Sequence, residues 1–106
     1  MNRDALRGHL ELLLLAELAR GEAHGYALIE RLTKRSDAAF DFAEGSVYPA
    51  LHRLDQGGFV AGSWVRVEGR RRRIYRLTRS GRARLGEERK AWRVFARTVE
   101  LVVEPA

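Results

Sequence analysis

The chain has 106 residues, 45% of them hydrophobic and 32% charged, with 20 Lys and Arg against 14 Asp and Glu and a formal net charge of +6. That length fits one domain with a real apolar core, and the absence of cysteine excludes a disulfide framework and a thiolate metal site. Met1, Asn2, Arg3 and Asp4 do not form a signal-peptide pattern, and the longest apolar run, Leu12 to Ala16, is too short to cross a bilayer. A cytoplasmic protein with no membrane partner is therefore expected.

The first predicted helix lies between Asp4 and Arg20, where leucines at 6, 10, 13, 14 and 18 keep helical spacing and Leu12 and Leu15 widen the apolar surface. Gly21 fits its stop. His24, Gly25 and Tyr26 open a second amphipathic helix, with Tyr26, Leu28, Ile29 and Leu32 on its apolar side and Lys34 and Arg35 suited to its carbonyl end. His24 reads as a capping or packing histidine, and the missing Cβ of Gly25 permits a close approach of helices. A short linker from Ser36 to Glu44 follows, in which Phe40 and Phe42 read as core plugs.

Ser46 is expected to cap a third helix, placing Val47, Tyr48 and Pro49 in its first turn, where the missing N–H of proline costs nothing. Val47, Leu51 and Leu54 form the inward stripe, leaving Ser46, Tyr48, His52 and Arg53 at or beside the outer face. Gly57 and Gly58 end the helix. The pattern then turns to β, with a strand from Phe59 to Val67, a turn at Glu68 and Gly69, and a returning strand from Arg71 to Leu77.

Thr78 is the expected N-cap of a last helix running to about Val103, nearly 40 Å at roughly 1.5 Å per residue. Leu85, Trp92, Phe95, Val99 and Val102 follow three- and four-residue steps along it, interrupted by Glu88. So long a helix cannot lie wholly on so small a domain. Its stripe is expected to meet a second copy of the chain, the alternative being that it folds back on the first helix.

Charge is unevenly placed. From Arg66 to Arg93 there are twelve Lys and Arg against three acidic residues, a local +9, while the remainder carries eight against eleven, or −3. Within that segment Arg70, Arg71, Arg72 and Arg73 follow Gly69 at the hairpin tip, where they cannot be buried. Focused positive potential of this kind speeds encounter with phosphate backbones, and each neutralised phosphate releases condensed counterions.

Three helices, a two-stranded hairpin and a last helix make a mainly α chain in the order of a winged helix-turn-helix, whose third helix enters the major groove. Residues 1–78 would form that unit and residues 79–106 the terminal helix, within one structural domain. Three blocks resemble the PadR-like transcriptional regulators: His24, Gly25, Tyr26 with Leu28; Gly45 through Leu54 followed by Gly58, Phe59 and Val60; and Tyr75 through Thr78 with Gly81. The middle block, with Tyr48, Pro49, Ala50 and Leu51 before Arg53 and Leu54, is the specific one. The resemblance covers roughly residues 9 to 90 and is to the short subclass of that family.

The resemblance implies a homodimeric repressor on double-stranded DNA, binding an inverted repeat. It places recognition contacts on Ser46, Tyr48, His52 and Arg53, and wing contacts on Arg70, Arg71, Arg72 and Arg73. It places the dimer interface on Leu85, Trp92, Phe95, Val99 and Val102 with help from Leu10 and Leu14 of the first helix. Many members carry proline in the wing where Arg71 stands. Arg53 suits either a guanine or a phosphate, phosphate being the commoner target. Tyr48 is either a phosphate ligand or a half-buried residue with its hydroxyl outward, and His52 is open in the same way. Some members respond to flat aromatic compounds at the dimer interface, so Trp92 is either a platform for a small aromatic ligand or simply interface core.

Other functions have less to stand on. A winged helix can serve as a protein-interaction module without touching DNA, but the arginine run would then have no purpose. The histidines at 9, 24 and 52 lie on separate helices with no pairing motif, and no glycine-rich phosphate loop follows a strand. No catalytic residue, metal site or cofactor is therefore expected. An RNA target fits less well, because the A-form major groove is too narrow for a recognition helix.

Overall fold

The computed structural model describes residues 3–105, with side chains from His9 onward. The chain runs through α1 (Arg3–Arg20), β1 (Ala23–His24), α2 (Gly25–Arg35), α3 (Glu44–Gln56), β2 (Val60–Val67), β3 (Arg70–Leu77) and α4 (Arg79–Val103). This is a winged helix fold with a long C-terminal helix. The radius of gyration is 15.2 Å and the longest extent 59 Å; a compact chain of this length would have a radius of about 13 Å. The excess comes from α4, which reaches past the body of the protein.

Leucines from α1 and α2 meet Val47, Ala50, Leu51 and Leu54 of α3 in the core, and Val60, Tyr75, Leu77 and Leu85 close it from the sheet and α4. Leu10, Leu14 and Leu85, expected to face a second copy, are exposed by only 3%, 0% and 4%. They are consumed by the protomer's own core and are not surface residues. The rest of the α4 stripe is exposed, from 43% at Trp92 to 83% at Val102.

Helix boundaries follow local chemistry. His24 accepts a hydrogen bond at Nδ1 from the Ala27 N–H at 3.2 Å, capping α2. Thr78 accepts one from Gly81 at 3.1 Å, capping α4, and donates its hydroxyl proton to the Gly58 carbonyl. A Cβ at Gly81 would lie 1.9 Å from the Phe59 carbonyl oxygen, so this close join between α4 and the start of the wing admits only glycine.

Two expectations are corrected. Ser46 is not the cap of α3: the helix starts three residues earlier than expected, with extended Ala43 at the cap position and no side-chain bond there. Ala43 instead offers its carbonyl to the N–H groups of Ser46 and Val47 at 3.0 and 3.1 Å, and Glu44 in the first turn suits the positive helix end. Pro49 consequently falls inside the helix, where it removes one bond of the ladder. The second correction is the extra strand: β1 pairs antiparallel with β3, Ala23 opposite Tyr75 and His24 opposite Ile74, giving a three-stranded sheet in the order β1-β3-β2. The hairpin turns through Glu68 and Gly69 at φ 49° and 77°, the paired left-handed residues of a two-residue type I′ turn.

Candidate nucleic-acid interface

The exposed residues of α3 are Glu44, Gly45, Tyr48, Pro49, His52, Arg53 and Gln56, which recur at three- and four-residue steps and so share one face. Ser46 lies beside that face, half-buried. Opposite it, Val47, Ala50, Leu51 and Leu54 are at most 1% exposed. This division lets the helix be anchored by one side and offered by the other.

Tyr48 joins the face to α2. A Cβ at Gly25 would lie 2.6 Å from Tyr48 Cε1, so the ring occupies the space that a side chain there would fill. Tyr48 remains 41% exposed, which combines the two roles the sequence left open. Burial, reinforced by nearby Glu44, raises its pKa, so the phenol stays protonated and able to donate.

The wing arginines are divided by the strand. Arg71 and Arg73 lie on the face of β3 that carries Tyr75, while Arg70 and Arg72 alternate to the other. Arg73 stands opposite Trp64 in the register and Arg71 opposite Arg66. Arg73 Nη2 binds Asp55 Oδ2 at 3.1 Å, bracing the wing against the end of α3. Both guanidinium groups lie over Trp64, Arg71 at 4.7 Å and Arg73 at 5.4 Å from the ring centroid. Trp64, 57% exposed, escaped the sequence reading. The alternation of β2 carries the signal, since it puts Trp64 on the face that Arg71 and Arg73 share. Tyr48, Trp64 and these two arginines, with Arg72, His24, Gly25 and Tyr75, line a cleft of about 280 Å³ between α3 and the wing.

Arg53 is placed differently. It is 61% exposed, yet its Nε binds Glu11 Oε1 of α1 at 3.2 Å. Glu11 also receives Arg84 of α4 at 3.2 Å, and Arg84 in turn binds Glu88 at 2.9 Å. One carboxylate thus ties α1 to both α3 and α4, and since only Nε of Arg53 is engaged, Arg53 meets a nucleic acid either through its Nη groups or by exchanging this pair for a phosphate. Exposed pairs of this kind contribute at most about 1 kcal/mol, so the exchange is cheap. His52 is exposed on the same face of α3 as Tyr48.

Beside this network lies a cleft of about 410 Å³ whose walls include His9, Arg53, Arg84, Trp92 and Phe95. His9 and Trp92 meet edge to face at 5.0 Å and Trp92 lies 6.1 Å from Phe95. Beyond it Val99, Leu101, Val102 and Val103 are exposed by 43%, 75%, 83% and 69%. Among the described residues no three His, Cys, Asp or Glu side chains gather as a metal set, and no helix is long and apolar enough to cross a membrane.

Known proteins share these features. Residues 14–87 match the PadR-like family of transcriptional regulators. A transcriptional regulator of Mycobacterium tuberculosis is 37% identical over 97 residues, covering 92% of this chain and 88% of that protein. Among solved structures, a PadR family transcriptional regulator from Eggerthella lenta superposes with a TM-score of 0.83 at 31% identity, covering 97% of this chain and 88% of that one. The fold is shared still more closely with a transcriptional regulator from Clostridium thermocellum, with a TM-score of 0.89 at 24% identity over 95% of this chain and 99% of that one. With a winged helix, a basic wing and a family match that spans α3, the chain belongs to the PadR-like transcriptional regulators, which act by binding DNA and are not enzymes.

Proposed function

We propose that the protein is a homodimeric repressor that binds an inverted-repeat operator. The observation that carries this reading is the apolar stripe of distal α4: Trp92, Phe95, Val99 and Val102 are left 43% to 83% exposed by the protomer. Burying such side chains contributes roughly 1.5 to 3 kcal/mol each, and a second copy in two-fold arrangement supplies the matching stripe. The dimer presents two copies of α3, with Ser46, Tyr48, His52 and Arg53 toward the major groove and Arg70, Arg71, Arg72 and Arg73 toward the flanking backbone and minor groove. Half-sites then lie about 34 to 36 Å apart, or a multiple of that.

Selection of bound duplexes from a random pool at near-physiological salt tests the reading. An enriched palindrome with that spacing is expected, whereas a lone half-site or no enrichment overturns it. Repression is tested by placing the selected site in a promoter and following transcription with and without the protein. Relief by a small flat aromatic compound belongs to the same proposal, because Trp92, His9 and Phe95 line a cleft on the dimer-facing side. Quenching of Trp92 fluorescence by such a compound, with loss of operator binding, is the expected result.

A further inference from the structure

We propose that Trp64 is a positioning residue for DNA binding, holding Arg71 so that its guanidinium meets one backbone phosphate at the cleft between Tyr48 and the wing. This rests on the reading of the chain as a DNA binder. Trp64 lies on the same face of β2 as buried Val60 but past the edge of the core, and it leaves 57% of its surface to water, so the ring adds little to the fold. What it does touch is cationic: Arg71 at 4.7 Å and Arg73 at 5.4 Å.

The two arginines are not equivalent. Arg73 is already held by Asp55 at 3.1 Å. Arg71 has no carboxylate within ion-pair distance among the described residues, and it faces Arg66 across the ladder. Like charges in directly opposite positions repel, and a phosphate placed between them removes that repulsion. Stacking on an indole face leaves the N–H donors at the guanidinium edge free and gives up much of the side chain's rotamer freedom before any ligand arrives. The cleft runs between the first turns of α3 and the wing, where a strand flanking the major groove passes, and most protein–DNA hydrogen bonds go to that backbone. Arg70 and Arg72 lie on the opposite face of β3 and line a second cleft with His24 and Val67. Arg72 also reaches the edge of the Tyr48 cleft, but of the wing arginines only Arg71 and Arg73 lie over the Trp64 ring.

The test uses the full chain and the duplex it selects, titrated over a range of salt. Arg71→Ala should weaken binding and lower the salt slope of the dimer by about 1.8, roughly 0.9 for the phosphate lost from each protomer. Trp64→Ala should weaken binding about tenfold with the slope unchanged, because every charge remains and only its placement is lost. Trp64→Phe should restore most of the affinity, and the double variant Trp64→Ala, Arg71→Ala should bind no worse than Arg71→Ala alone. Trp64→Thr, which suits a strand, repeats the measurement if the alanine variant fails to fold. Wild-type affinity in both ringless variants, or losses that multiply in the double variant, would overturn the assignment. Failure of the unaltered protein to bind any duplex would instead overturn the DNA-binding reading itself.

Discussion

The two halves of α4 share one apolar stripe but lie in different surroundings. In the first half Thr78 caps the helix, Gly81 presses against the Phe59 carbonyl, and Leu85 is 4% exposed in the core. In the second half Phe95, Val99 and Val102 stand exposed by 56%, 43% and 83%. Periodicity reports that a face will be covered, not by which molecule. The body of the protein ends near Trp92, and beyond it the proposed cover is the second copy.

Truncating one residue in each half separates the two kinds of cover. Leu85→Ala should lower the stability of the protein by about 2 to 5 kcal/mol, the usual cost of emptying a packed leucine site, read as a fall in denaturation midpoint at any protein concentration. Phe95→Ala should leave the protomer folded but weaken self-association about thirtyfold, as expected for removal of an aromatic anchor worth about 2 kcal/mol. Its melting temperature should therefore be lower and depend less steeply on concentration than that of the unaltered protein, because more of the variant is already dissociated.

A third variant concerns the body alone. Glu17 is 2% exposed and receives two hydrogen bonds from Arg35 at 2.9 Å, which hold its carboxyl below the usual glutamate range against the opposing effect of burial. A group whose pKa is depressed by folding takes up protons more readily when unfolded. Its contribution is thus complete above about pH 5 and is lost as the pH falls. Thermal melts from about pH 6 to pH 3 should fall less steeply for Glu17→Gln than for the unaltered protein.

The smallest effect is expected in the loop after α2. Asp37 and Ala38 are left-handed at φ 51° and 65°, and their N–H groups close the helix on Lys34 and Thr33 at 3.2 and 2.8 Å. Ala38→Gly should stabilise the protein by no more than about 1 kcal/mol, since relief of the Cβ strain is partly offset by the greater freedom of glycine when unfolded. An unchanged or lower denaturation midpoint would show that no strain is held there.

Much of the fold was legible because the signals were local. The caps at His24 and Thr78 each need one side chain and a backbone N–H three residues on, and the inward stripe of α3 needs only its own spacing. Gly25 was read as a place of close approach, and Tyr48 fills it. What escaped depended on partners distant in sequence. β1 is two residues long and gains its strand character from β3, and Glu11 becomes a junction only when three helices converge on it. Ser46 misled because a good capping residue was present, while the chain began the helix earlier with Glu44 in its first turn. The arginine run read as one feature, although strand alternation already assigned Arg71 and Arg73 to the face of Trp64.

The central claim is that two copies pair along distal α4 and so bring two recognition helices to one duplex. Sedimentation equilibrium at micromolar concentration tests it most directly. A mass of twice the 12.1 kDa chain, shifting toward the single-chain mass in Phe95→Ala, is the predicted result. A single-chain mass for the unaltered protein across that range would contradict it.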